Sequence, residues 1–250
     1  MCRTGLESNS ARQKAKMPRV NLYSDDTGFV ELVDSVGSDL SVVNSARVSF
    51  GKHKDALDKK DEKLIRYLIN HKHTSTLEHC FVTFRVKVPL FVRSQHHRHR
   101  TWSYNEISRR YTDFDIQFYE PRSFRTQHKS NRQASNADEL TNPVIYSYED
   151  GSFLRADTLV RSIHTQSLKI FNDMIEAGVC REQARGVLPQ NMYTEYYASA
   201  NLNNILKFID LRTHEGAQWE IQQLAKGMLD IVSELYPITV RAYSEKREEI

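Results

Sequence analysis

The sequence predicts an α/β fold with a helical C-terminal part, and three observations carry that prediction. Val82, Phe84, Val86 and Val88 alternate with Thr83, Arg85 and Lys87, the two-residue period of a strand with one apolar face. Leu64, Ile65, Leu68 and Ile69 recur at helical spacing within 61–72. Two longer stripes with the same spacing follow: Leu159, Ile163, Ile170, Phe171, Met174 and Ile175, then Ile221, Leu224, Met228, Ile231, Val232 and Leu235.

In chain order, residues 1–18 are polar and basic and hold almost no large apolar group, so they read as a flexible basic tail. Their scarcity of acids leaves a short organellar targeting peptide open. The rest, 19–250, reads as a single domain. Phe29 to Val36 has strand propensity and ends at Gly37; Ser38 or Asp39 then caps a helix through Val42, Val43 and Ala46. After the 61–72 helix comes a polar loop, His71 to His79, and then the alternating strand. Pro89 suits a first helical turn, so Leu90 to about His97 is expected to be a helix, with 98–111 following as a structured loop.

Phe114 to Tyr119 is expected as a strand closed by Pro121. Residues 122–157 turn polar, rich in Ser, Asn and Gln, and read as a long surface excursion open to partial disorder. Gly178 ends the 159–175 helix, Met192 to Ala198 alternates as a strand, 201–212 is helix-patterned, and Pro237 closes the last stripe. Both long C-terminal stripes are expected to be core.

With 39% hydrophobic and 27% charged residues, the 250-residue chain has the composition of a soluble protein. No apolar stretch approaches the ~20 residues that cross a bilayer, and the N-terminus lacks the apolar core of a secretory signal. A cytoplasmic protein with no membrane partner is expected. Cys2, Cys80 and Cys180 are widely spaced, as three free thiols in a reducing compartment would be. The nine glycines never cluster, which excludes a dinucleotide fingerprint and a P-loop.

The net charge of +3 is small, so basicity matters only where it is local. It concentrates at 93–110 and in the tail, above all in Arg98-His99-Arg100-Thr101-Trp102-Ser103-Tyr104-Asn105-Glu106-Ile107-Ser108-Arg109-Arg110-Tyr111. Four guanidinium forks suit phosphate and planar carbonyl groups, Glu106 and Asn105 accept, and Trp102 and Tyr104 offer faces for a flat ring. A nucleotide-handling site is the reading that uses all of these. A nucleic-acid-binding module is the first alternative, opposed by the Glu and serines inside the run. A metal-dependent hydrolase is the second, since His53, His71, His73, His79, His96, His97 and His99 fall close together. Arg98 and Arg100, interleaved with the last three, would repel a cation, and no metal is expected.

The run reads R-H-R-x-x-S-x-N-E-x-S-x-R-Y and resembles the signature of the flavin-dependent thymidylate synthases at every fixed position. His73-Thr74-Ser75-Thr76-Leu77-Glu78-His79 resembles that family's H-x-[ST]-x-x-E-H segment, and Arg185-Gly186-Val187-Leu188-Pro189 its A-R-x-x-L-P segment. Further likeness lies in Ser45 to Ser49, in Asn201 to Arg212 and in His214-x-x-Ala217-Gln218-Trp219-Glu220-Ile221. The resemblance spans roughly 28–121 and 159–240. Asn203 stands where some members carry Arg, and Gly216 where others carry His.

The resemblance implies a mostly antiparallel sheet flanked by helices. It also implies a homotetramer with sites shared between subunits, and reductive methylation of dUMP to dTMP. Methylenetetrahydrofolate would be the one-carbon donor and FAD, reduced by NADPH, the source of electrons. Arg212 would be the catalytic residue, at the pyrimidine edge. Gln95, Arg98, Glu106, Ser108, Arg109, Arg110 and Arg185 would bind dUMP, with Glu106 aligning the arginines. Ser49, His73, Ser75, Glu78, Arg98, His99, Arg100, Glu106, Asn201, Asn203, Lys207 and Leu211 would bind FAD. A cysteine-dependent enzyme would instead need a thiolate, for which Cys180 beside Arg181 is the one cue. Its neighbourhood lacks that family's pattern, so Cys180 reads as a small buried residue at a helix start.

Overall fold

The computed structural model describes residues 18–147 and 151–248, so all of the expected tail except Pro18 lies outside the described residues. Five strands form the central sheet: β1 (Arg19–Asn21), β2 (Phe29–Val36), β3 (Phe81–Pro89), β4 (Ser103–Glu106) and, late in the chain, β9 (Tyr193–Asn201). Their order is β1-β2-β3-β9-β4, and every pairing is antiparallel. β3 behaves as its alternation requires. Val82, Phe84, Val86 and Val88 are buried, while Thr83 meets Ser199 (2.8 Å) and Arg85 meets Glu195 (2.6 Å) on the polar face.

Helices pack over the apolar face or beside the sheet. Before the signature run these are α1 (Asp39–Arg47), α2 (Lys59–Asn70) and the short α3 (Leu90–His96). After it come α4 (Ala156–Glu176), α5 (Arg181–Ala184), α6 (Leu202–Thr213), α7 (Trp219–Leu235) and α8 (Pro237–Glu248). Ser38 caps α1 in a reciprocal capping box with Ser41, as the Ser-Asp cue indicates. Ile221, Leu224, Met228, Ile231 and Val232 of α7 are all buried against the sheet. Gly227 allows that approach, because a Cβ there would stand 2.7 Å from Val30 Cγ1. No helix among the described residues is long and apolar enough to cross a membrane.

Five expectations need correction. The signature is not all loop: 103–106 is β4, an edge strand paired with Tyr196–Ser199 of β9. Phe114 to Tyr119 is not a strand. Asp115 takes φ +51°, which turns the chain out of extended conformation, and only Phe118 bridges to Met192. The 122–157 excursion is ordered where described, as hairpins β5 (Phe124–Gln127) with β6 (Ser135–Thr141) and β7 (Val144–Tyr146) with β8 (Phe153–Arg155).

The 159–175 stripe is not core in this chain. Phe171 is buried, but Ile163 is 54% and Ile170 48% exposed, because α4 lies outside the sheet layer against β8 and α5. Nor do Trp102 and Tyr104 offer open ring faces. Trp102 is 6% exposed and packs edge-on to His96, and Tyr104 lies against His97 at 4.1 Å.

Candidate active site

α6 is the spine of the site. Asn201 caps it, its side-chain oxygen accepting Asn204 N–H at 3.0 Å, while Leu202, Ile205, Leu206, Phe208 and Ile209 anchor the helix in the core. Asn203 and Arg212 are nine residues apart, so their Cα atoms are separated by roughly 13 Å along the axis. At the Asn203 end, the side-chain amide donates to Glu78 Oε1 (3.0 Å) and ties α6 to the residue that closes the 3-10 turn Thr74–Leu77. A cavity of about 260 Å³ opens there, lined by His73, Asn203, Lys207, Leu68, Leu77 and Tyr243. Ser75 lies exposed in the same turn, and Ser49 is exposed in the segment after α1.

At the other end, Arg212 is half-buried and is held by neutral acceptors. Its Nε donates to His99 Nε2 at 3.1 Å and its Nη2 to the Gln95 carbonyl at 3.4 Å. Burial lowers its pKa from the usual arginine value. Accepting from Arg212 requires a lone pair on His99 Nε2, so His99 is neutral with its proton on Nδ1. Burial, then the Arg212 charge, lowers the His99 pKa to about 4. Beneath it His96 is fully buried, its Nδ1 2.8 Å from the Tyr196 hydroxyl, and burial drives its pKa well down too.

The sign of the resulting pH dependence follows. Unfolded histidines take up protons near pH 6.5, whereas folded His99 does so only near pH 4, so the unfolded state binds more protons between those values. Stability is complete above the unfolded value and falls as pH drops toward 4. The thermal midpoint of the wild type should therefore decline between pH 7 and 5. In His99→Gln, which keeps an acceptor but does not titrate, the decline should be shallower; parallel curves would show that His99 is not the group responsible.

The second half of the signature forms a separate group. Glu106 does not align the signature arginines, as expected, but accepts from Arg93 Nε (2.9 Å) and the Thr194 hydroxyl (2.6 Å). Arg109 is buried and clamps the turn that displaced the expected strand, donating to the carbonyls of Phe114 (2.6 Å) and Asp115 (3.4 Å). Arg110 pairs with Glu182 of α5 at 3.1 Å, one turn before the exposed Arg185, and Ser108 Oγ accepts Arg110 N–H at 3.3 Å. Arg98 and Arg100 are exposed, as is Leu211.

Sequence reasoning missed Arg93, Thr194 and Gln218, whose side chain accepts from the Gln95 amide. Arg93 falls at the edge of the basic run and could have been drawn in; Thr194 carries no sequence signal. Cys180 is exposed rather than buried: it starts α5, with its thiol 3.7 Å from Gln183 Oε1. Cys80 is buried, and burial pushes its thiol up to about 11. Among the described residues, no three His, Cys, Asp or Glu side chains gather as metal ligands.

Three comparisons bear on this arrangement. The family model described as "Thymidylate synthase complementing protein" matches residues 31–238. The chain is 41% identical to the flavin-dependent thymidylate synthase of Thermus thermophilus over 88% of this chain and 77% of that protein. It is 40% identical to the one of Thermotoga neapolitana over 87% and 91%. A crystal structure of a UMP/dUMP methylase from Streptomyces cacaoi, bound with 5-Br dUMP, superposes with a TM-score of 0.72 at 33% identity, covering 86% of this chain and 94% of that one. The match runs unbroken through β3, the signature, α6 and α7, which together carry both ends of the site, and the chain is an enzyme belonging to the flavin-dependent thymidylate synthase family.

Proposed function

We propose that the enzyme methylates C5 of dUMP reductively, taking the one-carbon unit from methylenetetrahydrofolate and its electrons from FAD recharged by NADPH. The observation that carries this reading is the half-buried Arg212 guanidinium held by neutral atoms. C5 of uracil is a poor carbon nucleophile unless negative charge on the ring is stabilised or a thiolate adds at C6. A preorganised cation at the N3 and O2 edge does the first. The second is poorly served: the Cys80 thiol stays protonated at neutral pH, and Cys180 is a surface residue.

The residues fit a flavin. The polar edge of α6, its end cavity and Glu78 bound to Asn203 give an elongated group side-chain contacts without a glycine turn. In this reading His73, Ser75, Glu78, Asn201, Asn203, Lys207 and Leu211 hold FAD, with Ser49, Arg98, His99, Arg100 and Glu106. When bound, FAD supplies two-electron reduction. Gln95 and Arg212 orient the pyrimidine. Arg98, Glu106, Ser108, Arg109, Arg110 and Arg185 serve the rest of the nucleotide, Glu106 and Arg109 by bracing their neighbours. A homotetramer with sites completed across its subunits is part of the same reading. The likeness to a methylase bound with 5-Br dUMP supports the substrate.

The test is reconstitution with FAD, a visible spectrum, then dTMP formation from dUMP, methylenetetrahydrofolate and NADPH. A yellow, dTMP-forming protein is expected; a colourless one without FAD affinity at micromolar concentration would refute the proposal. In the same assay Cys180→Ala should retain dTMP formation to within a few-fold. Abolished turnover in the folded, FAD-loaded variant would put the thiolate route first.

A further inference from the structure

A cavity of about 690 Å³ opens at the C-terminal end of α6, with Arg212, His214 and Gly216 on one side. The other side is Asn131 and Gln133, from the tip of the β5–β6 hairpin inside the polar excursion. A Cβ on Gly216 would lie 3.9 Å from Asn131 Nδ2, so the tip reaches the loop that follows Arg212.

The tip is a built loop. His128 Nδ1 accepts the N–H of Asn131 at 3.1 Å, and Gln127 Nε2 donates to the carbonyls of Asn131 (3.2 Å) and Ala134 (2.9 Å). Asn131 Oδ1 accepts Gln133 N–H at 3.0 Å. The hairpin base is pinned by Arg125 Nη2, which donates to both Glu220 oxygens at 2.8 and 2.9 Å. A loop ordered before binding adds little entropy cost when a ligand arrives. These bonds leave the Asn131 NH2 and the whole Gln133 amide without a hydrogen bond among the described residues. Gln133 thus offers a donor and acceptor pair and Asn131 a donor, at the mouth of a cavity whose other side bears a cation.

We propose that the β5–β6 tip is a specificity wall of the Arg212 cavity, with Asn131 and Gln133 hydrogen-bonding the amide-type edge of a planar heterocycle. This rests on the function proposed above. A side-chain amide matches such an edge because it offers N–H and C=O at the same spacing. The uracil of dUMP and the pterin of methylenetetrahydrofolate both present one, and the measurement separates them.

The test uses full-length, FAD-loaded enzyme in three forms: Gln133→Ala, Asn131→Asp and the double variant. Asp keeps the oxygen that accepts Gln133 N–H, so the loop holds while the donor is lost. Thermal midpoint and flavin content should stay at wild-type values. Calorimetric binding of dUMP and of methylenetetrahydrofolate, measured separately and without turnover, should show one of the two weakened about 3- to 10-fold in each single variant and more in the double. KM for the same compound should rise in step. A change confined to dUMP assigns the edge to uracil, and one confined to the folate assigns it to pterin. Both affinities within twofold of wild type in the double variant would overturn the wall. A wild type that binds both compounds but forms no dTMP would instead refute the proposed reaction and leave the wall to be judged on the binding data.

Discussion

Arg212→Lys should depress dTMP formation about 100- to 1,000-fold, the usual consequence of removing a preorganised donor from developing charge. Reduction of the flavin by NADPH should stay close to normal. An ammonium is a compact charge with no planar fork, so it cannot keep a contact to His99 Nε2, another to the Gln95 carbonyl and a two-pronged face toward the ring. Lysine also tolerates burial less well, because it gives up its proton more readily than a guanidinium does. Two measurements on one preparation decide the matter: stopped-flow flavin reduction and steady-state dTMP formation. If both fall together, Arg212 holds FAD or the fold, and its role at the pyrimidine is wrong.

The residue types of this site were legible in the sequence, but their pairings were not. Arg212 and His99 are 113 positions apart and meet because α6 runs back beside the end of α3. Glu106 sits among four signature arginines in sequence yet bonds Arg93, because β4 directs it toward α3 and β9. Local pattern had the same reach and the same limit in the fold. The β3 alternation and the α7 stripe were readable because one dominant face is buried in each. β4 escaped notice because a short polar edge strand has no apolar rhythm to display. Phe114 to Tyr119 failed in the opposite way: its apolar residues suggest a strand, and one left-handed residue, Asp115, together with the Arg109 clamp, makes it a turn. The α4 stripe shows that periodicity identifies a face but not what covers it.

The second large effect falls on stability. Glu220 is buried at the start of α7 and gathers three groups through four hydrogen bonds: both its oxygens take Arg125, one takes the Tyr119 hydroxyl (3.2 Å) and the other the Gln218 amide (3.0 Å). Removing one partner of a buried pair typically costs ~3–5 kcal/mol, since the other charge is left stranded. Arg125 retains 21% exposure, which places Glu220→Ala near the lower end, at about 3 kcal/mol. For a chain of this length that is a fall of roughly 6–12 °C in thermal midpoint. Glu220→Gln, which keeps one oxygen acceptor, should lose only about 1–2 kcal/mol. Lys169→Ala is the control, because the Lys169–Asp173 pair is solvent-exposed and its loss should leave the midpoint unmoved. Since Arg125 also pins the β5–β6 hairpin, Glu220→Ala should weaken binding at the Arg212 cavity even at temperatures where the enzyme remains folded. Equal midpoints for Glu220→Ala and Lys169→Ala would mean that the network does not hold the hairpin in solution.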